Sequence, residues 1–142
     1  MTIDLGPPRG TWKTDRGEVS TWILAPGLYS TRASGHIEVD LSSKIVAGGN
    51  EVIREHGKLL AFHDWQGIQT YETDARKQLT DWAIGIRGKV DRVHLLTGSK
   101  LVRMGVAVAS IALGDMVTAY EDRSVFEELL GDAIAARRGR PA

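Results

Sequence analysis

The chain has 142 residues, in which 18 Lys plus Arg balance 18 Asp plus Glu, with four His and no Cys. That length fits one domain with a substantial core, and zero net charge removes the basic footprint of a general nucleic-acid binder. The absence of Cys excludes disulfide scaffolds, Cys-type zinc sites and thiol catalysis.

Met1 to Pro8 carries no basic region followed by an apolar stretch, so it does not read as a secretory signal. Residues 1–9 read as a flexible lead-in. Thr11-Trp12-Lys13 and Val19 to Leu24 flank Asp15-Arg16-Gly17, a hairpin in which Gly17 is expected to supply a positive φ. Pro26-Gly27 is a second turn, Leu28 to Ala33 a third strand, and Gly35 its end. Val39 to His56 keeps helical spacing through Leu41, Ile45, Val52 and Ile53, with Gly57 as the residue after the helix. Gly48-Gly49 in its middle predicts a kink or two shorter pieces, since each Gly costs about 1 kcal/mol against Ala.

From Lys58 to Ala136 one grammar repeats: a short apolar run, a turn, then an amphipathic helix. The runs are Leu59 to Phe62, Val93 to Leu96 and Met116 to Tyr120. This pattern predicts crossover units and a largely parallel sheet. The helix after Tyr71 has the stripe Ala75, Leu79, Trp82, Ala83 and Ile86, with Thr70 or Thr73 as N-cap and Gly88 as its stop. Ser124-Val125-Phe126-Glu127 reads as a capping box opening the last helix, whose stripe is Phe126, Leu129, Leu130, Ala133 and Ile134. Residues 137–142 read as a basic tail. Three arginines without interleaved aromatics on a neutral domain do not make a nucleic-acid surface.

Ser99 to Leu113 differs from the other helices. Leu101, Met104, Val108 and Ile111 form one apolar stripe; Val102, Val106, Ala109 and Leu113 form another. Such a helix is either buried all round or covered by something else. Three readings stay open: burial between neighbours, a twofold partner, or the wall of a pocket for an apolar molecule. At 11 residues, its uncharged run Met104 to Gly114 is too short to span a bilayer, so a cytoplasmic protein with no transmembrane segment is expected.

Taken together, the Trp-bearing hairpin, the strand before Gly35, a helix and three strand–helix pairs resemble the STAS fold, named for sulfate transporters and anti-sigma-factor antagonists. The resemblance is to its SpoIIAA-like branch, carried by Ala61-Phe62-His63-Asp64-Trp65 and by Ser99 to Ala109, and it covers about Gly10 to Ala136. It implies a single α/β domain over 10–136, with a mixed, mostly parallel sheet, an N-terminal hairpin and about four helices packed mainly on one face. It also implies a non-catalytic regulatory or protein-interaction module. In the anti-sigma antagonists a phosphorylated Ser follows an Asp at the start of the second crossover helix. Here Asp74 fits, but Ala75 stands where the phosphoacceptor would be, leaving Thr73, or Thr70, as the nearby hydroxyl.

The candidate contact residues are Trp65, Leu101, Met104, Val108 and Ile111, for a partner or an apolar ligand. A second copy of the chain is the expected partner, because a neutral chain repels itself little and a Gly/Ala-rich helix suits an isologous interface. The rival reading is a small enzyme with a polar site of His63, Asp64, Ser99 and Lys100 at the carboxyl edge of the sheet, where ligands gather in open α/β folds. Thr97-Gly98-Ser99-Lys100 lacks the spacing of a phosphate loop, and no H-x-x-x-H or H-E-x-x-H pattern occurs, so neither cofactor nor metal is expected.

Overall fold

The computed structural model describes residues 3–139. Six strands form one sheet in sequence order: β1 (Gly10–Lys13), β2 (Gly17–Ala25), β3 (Leu28–Ile37), β4 (Leu59–Tyr71), β5 (Val90–Thr97) and β6 (Val117–Tyr120). The pairs β1–β2 and β2–β3 are antiparallel; β3–β4, β4–β5 and β5–β6 are parallel. The parallel pairs are joined by α1 (Val39–His56), α2 (Thr73–Gly85) and α3 (Lys100–Leu113), and α4 (Arg123–Arg138) follows β6.

This sheet steps in one direction from β3 to β6. Crossovers of one hand along such a sheet leave their helices on one face. Helices α1, α2 and α3 accordingly cover the face of Val19, Tyr29, Ala33, Leu59 and Ala61. No crossover constrains α4, and its Phe126 and Leu130 pack on the opposite face against Trp22, Leu28, Phe62 and Leu96. The expected mixed sheet, N-terminal hairpin and four helices mainly on one face are what the chain builds, with three helices on one face and one on the other.

Several local expectations are corrected. Gly17 does not take a positive φ; a Cβ there would run into the His36 carbonyl oxygen, so close backbone approach is what requires glycine. Gly35 does have φ 79°, but it sits inside β3, which runs on to Ile37 with an irregular register at that point. Helix α1 is unbroken through Gly48-Gly49. A Cβ at Gly48 would strike the Tyr29 hydroxyl and one at Gly49 the Trp82 ring, so the two glycines let α1 lie close on both. Tyr29 Oη then donates to the Ile45 carbonyl at 2.7 Å, and Trp82 Nε1 to Asn50 Oδ1 at 2.8 Å.

The caps also move. Glu72, not Thr70 or Thr73, precedes α2, and its carboxylate accepts the Val39 amide at 2.8 Å, satisfying an open N–H of α1. Gly88 lies beyond α2 in a short 3-10 turn, Arg87–Lys89. Asp122 caps α4 by accepting the Ser124 amide at 2.9 Å, two residues ahead of the expected cap. The lead-in is docked: Ile3 donates to Glu127 Oε1 at 3.2 Å, and Trp22 Nε1 donates to the Gly6 carbonyl at 3.1 Å. Arg137 and Arg138 are part of α4 and pair with Asp91 and the Leu24 carbonyl, so no tail begins at 137. Arg140, Pro141 and Ala142 lie outside the described residues.

Candidate functional site

Strand β4 is thirteen residues long, more than three times the apolar run that announces it. His63-Asp64-Trp65 is therefore in mid-strand, and alternation sends neighbours to opposite faces. His63 and Trp65 point under α2 and α3. Asp64 points to the α4 side, where Arg123 Nη1 and Nη2 grip its two oxygens at 2.9 and 3.0 Å and Arg32 Nε stands at 3.4 Å. Arg123 also reaches Glu127 at 3.3 Å. This buried carboxylate is bound in a charge network that ties α4 to the sheet. The acid–base pair His63–Asp64 does not form, because the sheet itself separates the two groups.

Nor do the remaining polar candidates converge on His63. Ser99 caps α3 by accepting the Val102 amide at 3.0 Å, as its position before an apolar helix predicts. Lys100 is exposed. Thr70 Oγ1 pairs with His36 Nδ1 at 2.7 Å, and Thr73 is an exposed first residue of α2. Ala75 is buried in the core. Among the described residues, no group of three His, Cys, Asp or Glu side chains is placed to hold a metal.

What the fold does assemble is a partly open cavity of about 120 Å³ between the sheet and the α2–α3 pair. Its wall is almost wholly apolar, built from Ile68 of β4, Leu79 of α2, Val93 of β5, and Val102, Val106 and Ala109 of α3. An apolar cavity of roughly 150 Å³ stays dry and accepts benzene-sized molecules. The second apolar stripe of α3 thus faces inward. The first faces outward: Leu101, Met104, Val108 and Ile111 are 41, 59, 57 and 87% exposed. Burial all round, one of the three open readings, is excluded by those exposures.

His63 and Trp65 line this cavity with their rings stacked at 4.8 Å. Thr31, fully buried on β3 beside them, holds both: Trp65 Nε1 donates to its Oγ1 at 3.0 Å, and that oxygen is 2.7 Å from His63 Nδ1. Burial of the imidazole pushes the His63 pKa down to about 3. Thr31 was not singled out by the sequence. Its signal was a hydroxyl between Tyr29 and Ala33 on the inward face of an alternating strand.

On the far side of the sheet, His94 stacks on Phe62 at 4.2 Å and its Nδ1 meets Tyr120 Oη at 2.8 Å. Its pKa is pushed down to about 4, first by burial and then by the Arg92 charge.

A unidirectional β3–β6 sheet behind an antiparallel hairpin, with three helices on one face and one on the other, is an α/β arrangement of the SpoIIAA-like fold. The chain superposes on the solved structure of an uncharacterized protein from the DUF3478 family, with a SpoIIAA-like fold, from Shewanella loihica PV-4. The TM-score is 0.58 over 92% of this chain and 98% of that one, at 12% identity, a likeness of fold. No family model and no curated protein matches the chain. No described helix is long and apolar enough to cross a membrane.

Proposed function

We propose that the chain is a non-catalytic binding module of the STAS-like regulatory type, built around α3. The inner stripe of that helix walls a site for a small apolar molecule, and its outer stripe docks a second copy. The cavity carries this reading: close-packed interiors leave few voids larger than a water molecule, and this one is roofed by a helix whose other face is apolar and open. The test is a ¹H–¹⁵N NMR titration with α-methylstyrene. Saturable shifts at amides of β4, α2 and α3 are the expected result; no saturable shift would refute the pocket.

Self-docking is supported by the pattern of the outer stripe. The spacing of Leu101, Met104, Val108 and Ile111 is symmetric about residue 106. An antiparallel twofold therefore sets Leu101 against the second copy's Ile111 and Met104 against its Val108. The same operation brings the basic end of α3, Lys100 and Arg103, towards Asp115 beyond the other end. Val108→Asp is expected to convert a dimer into a monomer by buried-charge repulsion, read by sedimentation at several concentrations. A variant that sediments like the parent protein would remove the twofold reading and leave the cavity untouched.

A further inference from the structure

His63 lines the cavity and is a polar group that the apolar reading does not use, and its hydrogen-bond partners set its tautomer. Thr31 Oγ1 has one hydrogen and two lone pairs. One lone pair receives the Trp65 Nε1 hydrogen. The Thr31 hydroxyl hydrogen then needs an acceptor at a site with no access to water, and among the described residues its partner is His63 Nδ1 at 2.7 Å. If His63 Nδ1 carried the proton instead, the Thr31 hydrogen would be stranded, at a cost of about 1–3 kcal/mol. The satisfied arrangement is a directed chain, Trp65 N–H to Thr31 O–H to His63 Nδ1. It leaves the imidazole proton on Nε2.

His63 is 4% exposed and lines the cavity, and its Nε2 has no partner among the described residues. The described residues contain no fully buried side-chain nitrogen or oxygen without a partner. Nε2 therefore keeps access to a water-sized sphere, and the cavity is the space this ring borders. We infer that His63 Nε2–H is a fixed hydrogen-bond donor inside the cavity, and that the ligand is an apolar molecule carrying one neutral acceptor, such as a ketone, aldehyde or ester carbonyl. The inference rests on the proposed apolar site and specifies its chemistry.

A neutral acceptor follows from the surroundings. The imidazole is uncharged, the nearby wall is apolar, and a buried carboxylate without a cation is strongly disfavoured. Among the described residues, Arg76 is the one cation bordering the cavity. It sits in the first turn of α2, its stem beside Gly105. It would be the anchor of a carboxylate ligand, which makes the two chemistries separable.

The experiment compares acetophenone with α-methylstyrene, which has the same shape with C=CH₂ in place of C=O, on the parent protein and on His63→Phe. The expected result is a roughly tenfold loss of acetophenone affinity relative to α-methylstyrene in the variant, a hydrogen bond's worth of about 1.4 kcal/mol. Equal changes for both probes, or none, would overturn the donor role while leaving the apolar site intact. If the parent protein binds neither probe, the apolar site fails and the inference fails with it. Benzoate is the third probe: tighter binding than acetophenone would place the polar anchor at Arg76 and overturn the inference. Imidazole ¹H–¹⁵N correlation on the parent protein needs no variant. It is expected to show the Nε2–H tautomer at His63, and an Nδ1–H tautomer would refute the hydrogen-bond chain.

Discussion

Ala109→Leu is expected to abolish binding of α-methylstyrene, with at least a tenfold loss of affinity, and to leave the melting temperature unchanged or higher. Ala109 borders the cavity from the inner side of α3. Three added carbons there occupy space that is empty in the protein, and each buried methylene contributes about 0.8 kcal/mol of transfer free energy. Ala61→Leu is the control. Ala61 is fully buried in the close-packed core under α1 and does not border the cavity. Overpacking at such a site costs about 1–3 kcal/mol. Thermal melts of the two variants therefore move in opposite directions, or one moves while the other stays. If Ala109→Leu destabilises as Ala61→Leu does, the space between α2, α3 and the sheet is ordinary core and no ligand site exists there.

The second large effect is acid lability. His63 and His94 are held neutral in the folded protein, with pKa values pushed down to about 3 and about 4 from an ordinary 6.5. In the unfolded chain both take up a proton as pH falls through 6.5. Below that point the unfolded state binds more protons, so stability falls with pH. The full contribution is present above pH 6.5 and is lost progressively down to the folded values. Lowering pH from 7 to 4.5 is expected to cost about 2 kcal/mol through His63, with a smaller share from His94, whose half-buried ring is partly screened by solvent. Urea midpoints measured at the two pH values report this directly. His63→Phe is expected to remove the larger share of the difference. A parent protein with equal midpoints at pH 7 and pH 4.5 would show that neither imidazole is held neutral by burial.

These effects depend on which neighbours each histidine meets, and the sequence could place the two residues only on strands. Three strand–helix repeats after Lys58 announced the parallel half of the sheet, because apolar runs and helical stripes are local patterns. The Gly57 stop shows at φ 77°, and Ser99 caps α3 as expected, for the same reason. The unbroken α1 was not legible, because the glycines that argue for a break are explained by Tyr29 and Trp82, one from a strand and one from another helix. The length of β4 was hidden as well. Beyond Phe62 its apolar residues Trp65, Ile68 and Tyr71 come every third position rather than every second, and pairing with β3, across two register shifts, carries the strand on to Tyr71.

The candidate site divides along the same line. That α3 carries two apolar stripes was written in its spacing. Which stripe meets the sheet and which meets solvent was not, since 3.6-residue periodicity defines faces but not their orientation. His63 and Asp64 are adjacent in the chain and read as partners. Strand pleating puts them on opposite sides of a sheet, so one borders an apolar cavity with Thr31 and the other is clamped by Arg32 and Arg123. The sequence by itself determined the elements, their order and the apolar character of α3, all properties of short-range pattern. Only the tertiary structure decided the cavity, the partners of His63 and the exposed face of α3, because each depends on residues far apart in the chain, such as Thr31 with His63 and Trp65, that only the folded sheet brings together.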